Sequence, residues 1–275
     1  MFACSLPVMA VAQNKDSVTL RKLADEILTH STAYENLRVL TKKIGGRLAG
    51  SPQMAKAEQW GVKALKAAGA DTVYLQECMV PHWVRGAKEE ARIISRRRDF
   101  VPPLNVLALG NSVGSGPEGV TAPVLEVASF DDLEAKKDQV QGKIVFYNYH
   151  FNPTFIKTFH AYGDAVRYRT QGASRAAKYG AVAVIVRSTS HGANNFPHTG
   201  VMRYDSAYPK LPAVAIGLED ADRLSQRIKD DNSLKVFLRT NCVMLKDTIG
   251  HNVIAELRGS KYPDHYITVG GHLDS

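Results

Sequence analysis

Cysteine is scarce in this sequence: Cys4, Cys78 and Cys242 are the three in 275 residues, and no two stand in C-x-x-C spacing. That excludes a disulfide-framed mini-protein, a zinc knuckle and a thioredoxin-like redox centre. Cys78 and Cys242 lie in apolar-flanked runs and are expected to be buried free thiols, with a disulfide between them as the alternative. Long apolar runs are missing after residue 12, so the body of the chain holds no expected membrane span. A basic stripe is missing as well. The 35 Lys and Arg against 27 Asp and Glu leave a formal charge of +8, yet the excess is scattered. Its one dense cluster, Arg96-Arg97-Arg98, runs at once into Asp99 and Pro102 and reads as a solvated loop. No nucleic-acid partner is expected. Glycosylation sequons fail too, because Asn152-Pro153-Thr154 has proline in the forbidden place.

What is present is an ordinary globular mixture, 44% hydrophobic and 23% charged, which rules out disordered and fibrous classes. Met1 to Ala12 is apolar and ends in Ala10-Val11-Ala12, an A-x-A-like cleavage pattern without a basic n-region. We read residues 1–12 as a signal peptide that lacks its first residues, against the alternative of a plain apolar tail. Leu20, Leu23, Ile27 and Leu28, then Tyr34, Leu37 and Leu40, repeat at helical spacing and predict one bent helix or two short ones. Ser51 and Pro52 open a further helix that Gly69 stops. Strands are expected around Val73–Val80, Glu90–Ile94 and Leu104–Leu109.

The next stretch has its own rhythm. Strands are expected at Val120–Val127, Lys143–Tyr147, Ala181–Val186 and Ala213–Ile216, with helices at Phe130–Lys137, Gly172–Tyr179 and Glu219–Lys229. Ala181–Val186 is too continuously apolar to face water and reads as buried on both sides. Asn252–Leu257 and Tyr266–Val269 are then expected to pair as a hairpin of a larger sheet. A sheet that resumes after a self-contained domain points to an insertion into a host fold.

The most pointed constellation is Gly270-Gly271-His272-Leu273-Asp274-Ser275, directly after an expected strand. Glycines let the backbone turn where open α/β sheets place their ligands. His272 offers an imidazole nitrogen, and Asp274 an oxygen able to span two cations, a pairing that suits a two-metal hydrolase. Spacing alone equally fits a loop histidine beside a turn-capping aspartate. Other candidates read as ordinary structure. Gly110–Gly116 is a turn into the inserted domain and not a phosphate loop; no nucleophile elbow is expected anywhere in the chain, so serine and cysteine hydrolase readings fall away. His160, His191 and His198 read as surface or turn histidines, and Trp83 as a packed residue at a domain boundary.

Taken with its context, the stretch from Ser260 to Ser275 resembles the first metal-ligand segment of the M28 metallopeptidases. The likeness includes Gly45–Ser51, Val80–Gly86, Pro117–Ala122, Gly142–Asn148, Tyr168–Ala173, Pro197–Gly200 and Asn252–Glu256, in order. It implies an α/β zinc-exopeptidase (phosphorylase/hydrolase-like) domain, incomplete here and interrupted by a protease-associated (PA) domain. The implied division is 17–111 for the opening of the peptidase domain, 112–245 for the insertion and 246–275 for the resumed host. By the same resemblance His272 binds one Zn2+ and Asp274 bridges two. The reaction implied is hydrolysis of small peptides next to a free terminus, in a secreted, periplasmic or lumenal protein that forms homodimers. The general-base Glu and the remaining ligands are expected beyond residue 275, so these residues alone are expected to be inactive. The competing reading is a non-enzymatic protein-interaction fragment built around the PA domain.

Overall fold

The computed structural model describes residues 15–96, 100–192 and 194–275. The signal-peptide reading of residues 1–12, Cys4 within it, and most of the Arg96–Arg98 cluster lie outside the described residues. The chain divides into two compact units.

One unit comprises residues up to Arg47, Pro52–Leu75 and Val253–Ser275. Two helices, α1 (Lys15–His30) and α2 (Ala33–Arg38), break at Ser31-Thr32 and give the two-helix form of the expectation. The second runs on into a π-helical turn, Val39–Ile44, which Gly45 ends at φ +88°. The third helix, α3 (Pro52–Ala67), starts on its proline and buries Met54, Ala57 and Gly61. Gly61 leaves room for Val253, whose methyl groups would touch any Cβ placed there. Beyond Gly69, at φ +92°, comes β1 (Thr72–Val80), which pairs with β11 (Thr248–Glu256).

That pairing overturns the expected hairpin. Tyr266–Val269 forms no strand and is exposed along its length, with Ile267 at 94% and Val269 at 90%. Proximity in sequence suggested the partner. The alternating faces of β1, some 175 residues away, supply the real one.

The other unit, residues 48–51 and 76–252, carries a seven-stranded sheet in the order β3-β9-β5-β6-β7-β8-β4. Its strands are β3 (Glu90–Ile94), β4 (Val106–Ala108), β5 (Val120–Val127), β6 (Ile144–Tyr147), β7 (Ala183–Arg187), β8 (Ala213–Ile216) and β9 (Lys235–Arg239). The central four, β5 to β8, are parallel, and the outer three add on antiparallel. A separate short pair, β2 (Trp83–Val84) with β10 (Val243–Met244), is antiparallel.

Every residue of β6 and β8 is buried, because layers cover both faces of the sheet. Val145, Tyr147, Val184, Val186, Ala213 and Ala215 face α4 (Phe130–Ala135) and α5 (Thr158–Ala177). Their neighbours Ile144, Phe146, Ala183, Ile185, Val214 and Ile216 face α6 (Leu218–Asp230), through Ala221 and Leu224. The period of two in each strand thus feeds two cores. Ser129 caps α4 by accepting from the Asp132 amide, as its type favours.

Two expectations need adjusting here. Helix α5 begins at Thr158, well before Gly172, because an amphipathic stretch of aromatics and polar residues precedes its small-residue half. Strand β9 was not anticipated, although Val236 and Leu238 alternate into the core between Lys235 and Arg239. Both remaining cysteines are free; Cys242 is buried, whereas Cys78 is only partly so. Trp83 is packed as expected, against Ala108 and Cys242, with its indole N–H donating to the Ser112 carbonyl at 2.8 Å.

Candidate metal site

Arg47 organises the loop that carries His272 and Asp274. Its guanidinium is buried and spans three carbonyls, donating to Leu273 at 2.8 Å, Leu40 at 2.9 Å and Gly45 at 2.8 Å. Its own backbone pairs both ways with Ser275, at 2.6 and 3.0 Å. The planar fork of arginine suits this job, since several N–H groups lie in fixed directions. A left-handed glycine, Gly45, turns one of those carbonyls toward it. The motif Gly45-Gly46-Arg47 and the motif Gly271-His272-Leu273-Asp274 therefore meet, although 224 positions separate Arg47 from Gly271 (271 − 47).

On that braced backbone the two candidate ligands stand in solvent. The side chain of His272 is 92% exposed and that of Asp274 48%, and His272 Nδ1 lies 2.9 Å from Asp274 Oδ1. The hydrogen bond and negative charge of Asp274 hold the imidazole above its ordinary range. In kind, an imidazole nitrogen and a carboxylate oxygen one residue apart suit zinc. In number they fall short. Among the described residues no three His, Cys, Asp or Glu side chains gather as a metal site, and two donors do not make a closed four-coordinate centre. The residues of this chain do not by themselves fit a two-zinc site.

The other candidates resolve differently. Gly110-Asn111-Ser112-Val113-Gly114 does spell G-x-S-x-G, so the sequence alone did not dispose of that pattern. No helix follows it, however, and Ser112 is buried, accepting from the Ala213 amide at 2.9 Å and donating to Val113 O at 3.0 Å. It ties loop to sheet. His160 sits in α5. His191 packs edge-on against Phe151, beside a cleft of about 410 Å³ that also holds His150, Arg187 and Asp222. In that cleft the Arg187 guanidinium is held by Asp222 at 2.6 Å and Asn148 at 3.1 Å. Burial, then the charge of Arg187, lower the affinity of His150 for a proton. His198 is exposed, as expected of a surface histidine, yet it is tethered: it shares a 2.6 Å hydrogen bond with Thr189 Oγ1, and its amide donates to Ser188 Oγ at 2.8 Å. Both partners come from the loop that follows β7, nine and ten residues earlier, and residue types alone do not reveal that tie.

Residues 117–224 match the PA domain family. The chain is 38% identical to human carboxypeptidase Q over 88% of its own length and 49% of that protein, with the bovine protein giving the same figures. It thus spans about half the length of these relatives. Among solved structures, a peptidase M28 precursor from Shewanella amazonensis SB2B superposes with a TM-score of 0.84 at 33% identity, over 94% of this chain and 57% of that one. A zinc aminopeptidase from Bacillus subtilis shares the fold at a TM-score of 0.52 and 19% identity, over 83% of this chain and 47% of the other.

Proposed function

Since the chain is homologous to the M28 zinc exopeptidases over most of its length, we propose that it is part of a metallo-exopeptidase. The activity is of the carboxypeptidase or dipeptidase type, and small peptides are its substrates. His272 and Asp274 are this chain's share of the metal site, with Asp274 as the bridging ligand between two Zn2+. The observation that supports this is the bracing of the loop: a buried arginine fixes the backbone at Leu273 and Ser275, while both ligands stay open to solvent. The remaining ligands and the general-base Glu come from outside residues 1–275. Held by His272, Asp274 and those further ligands, the ions would supply Lewis-acid polarisation of a carbonyl and an activated water. The inserted domain is assigned residues 112–245, with β3 and β4 of the preceding stretch completing its sheet. We assign the protein to a secreted, periplasmic or lumenal compartment, as a homodimer.

Two preparations test this. The natural gene product, captured from its source with an antibody against this chain, should hydrolyse dipeptides, lose activity to a chelator and regain it with zinc. Residues 1–275 alone should show no turnover. Zinc-dependent turnover by residues 1–275, abolished by His272→Ala, would refute the incomplete-site reading. A natural product without chelator-sensitive hydrolysis would refute the enzyme and favour a protein-interaction role.

A further inference from the structure

Arg169 is buried, at 7% exposure, in the middle of α5. Among the described residues no carboxylate pairs with it, and its Nε has no hydrogen-bond partner. That is an unusual state for a group that stays charged at any physiological pH. Buried charges are ordinarily paired, because leaving water is costly for an ion and a neutral neighbour returns little of it. Of the other buried arginines, Arg187 is paired with Asp222, and Arg47 places its N–H groups on three carbonyls.

A hydroxyl, not a carboxylate, holds Arg169. Tyr162, seven residues earlier and so on the same helix face, accepts from Arg169 Nη2 at 2.6 Å, and its ring lies beneath the guanidinium with Cζ 5.5 Å from the centroid. A hydroxyl that accepts this bond keeps its own proton to give elsewhere. The His198 ring lies 6.1 Å from that of Tyr162 and is anchored through Nδ1 to Thr189, which leaves Nε2 for a ligand. Loss of hydration, then the charge of Arg169, lower the affinity of this imidazole for a second proton. Gly200 completes the corner: a Cβ there would stand 2.7 Å from Arg169 Cζ and 2.9 Å from each terminal nitrogen. Only a residue without a side chain lets the guanidinium lie flat where it does.

We propose that Arg169, Tyr162 and His198 form a receptor for a single carboxylate on an organic ligand, such as the carboxyl terminus of a peptide. The site holds one permanent positive charge, the Tyr162 hydroxyl and, in the tautomer in which Thr189 donates to Nδ1, the His198 Nε2–H, a set that matches a monoanion better than a phosphate dianion. The rim is apolar: Phe159, 81% exposed, has its ring 5.9 Å from that of Tyr162, and Ile156 is fully exposed close by in sequence. These offer contact to the body of the ligand. Tyr168–Ala173 and Pro197–Gly200, two of the stretches that stood out in the sequence, supply Arg169, His198 and Gly200. The inference rests on the inserted unit alone and holds whether or not the metal reading does.

Calorimetric titration of residues 1–275 tests it, with N-acetylphenylalanine as the probe and its amide as the control. The acid should saturate one site, and the amide should bind at least about tenfold more weakly, as loss of a charged hydrogen-bond partner predicts. Arg169→Gln and Gly200→Ala should each weaken the acid by about tenfold or more, the second while keeping the charge. Tyr162→Phe, which keeps the ring and the packing, should weaken it by about threefold and decides the matter if Arg169→Gln fails to fold. Equal binding of acid and amide, absence of saturable binding, or unchanged affinity in folded Arg169→Gln would overturn the proposal. Inorganic phosphate binding more tightly than the acid would overturn the monocarboxylate class.

Discussion

Replacing Arg47 by methionine removes a positive fork while keeping a side chain of similar length. Three carbonyls then lose an N–H of the guanidinium, although that of Leu40 keeps the Gly45 amide, and the structure separates their consequences. Those of Leu40 and Gly45 end the π-helical turn, whereas that of Leu273 belongs to the loop between His272 and Asp274. A hydrogen bond from a charged donor contributes about 1.5–3 kcal/mol. The loop is open to water, which replaces part of the loss, so the lower end applies to Leu273, about 1.5 kcal/mol. That is roughly a tenfold rise in the population of the opened loop. Amide hydrogen exchange read by mass spectrometry measures it directly. The peptide covering residues 270–275 should exchange about tenfold faster in Arg47→Met, and a peptide spanning β8 should not change. Arg47→Lys should resemble Met, because one ammonium cannot reach three carbonyls in different directions. If exchange in 270–275 is unchanged while residues 40–45 loosen, Arg47 braces the turn alone and the link to the ligand loop is wrong.

Burial of Cys242 pushes its thiol up to about 11, so the folded state keeps the proton that an unfolded chain releases near 8.5. Stability should therefore fall as pH rises from about 8.5 through 11, by at most about 3 kcal/mol, and Cys242→Ala should flatten that decline in denaturant titrations. At pH 8, iodoacetamide should label Cys78 far ahead of buried Cys242 in tryptic peptide maps; equal labelling would contradict the packing around Trp83. Gly172→Ala should cost about 2–3 kcal/mol in urea unfolding, because its Cβ would stand 2.8 Å from the ring of fully buried Tyr147, whose hydroxyl donates to the Gly172 carbonyl. Limited proteolysis should first remove residues 15–47 and 257–275 and leave a resistant core within 76–252, to be read by mass; early cuts in β6 or β7 would contradict it.

Legibility in the sequence followed how locally each element is determined. Strand β8, Ala213–Ile216, was placed to the residue because a proline precedes it, a glycine follows it and all four side chains are apolar. Pro52 and Gly69 likewise marked the ends of α3. Strand β9 was missed because Lys235 and Arg239 flank a run too short to show its period, in which Phe237 is buried beneath the Arg92 guanidinium, Cζ 4.0 Å from its ring centroid. The first half of α5 was missed because Phe159, Tyr162 and Gly163 read like a loop until Ala161, Ala165 and Tyr168 are seen to share its buried face. At the site, His272 and Asp274 were legible as a pair because they are neighbours. Arg47 was part of a recognised motif, yet its task could not be read, since hydrogen bonds to carbonyls leave no trace in residue types. The same holds for Arg169 and His198, which stood in two separate motifs with nothing in the sequence to join them.

The failed hairpin shows where the periodicity of a sequence stops being informative. Tyr266–Val269 has the alternation of a strand, and Leu20, Leu23, Ile27 and Leu28 have the spacing of a helix face. In the structure the helix forms and the strand does not, yet all these side chains are exposed, Leu28 at 82%. Periodicity states which side chains would share a face; it does not state what covers that face. In the unit of residues 48–51 and 76–252, two layers do cover the sheet, and its alternating strands turn into two cores. Among the described residues of the other unit only Met54 and Ala57 are buried apolar side chains. Apolar burial contributes roughly 25 cal/mol per Å², so the free energy of folding is concentrated in the inserted unit. The loop that carries His272 and Asp274 then owes its geometry less to an apolar core than to polar ties, chief among them the buried guanidinium of Arg47.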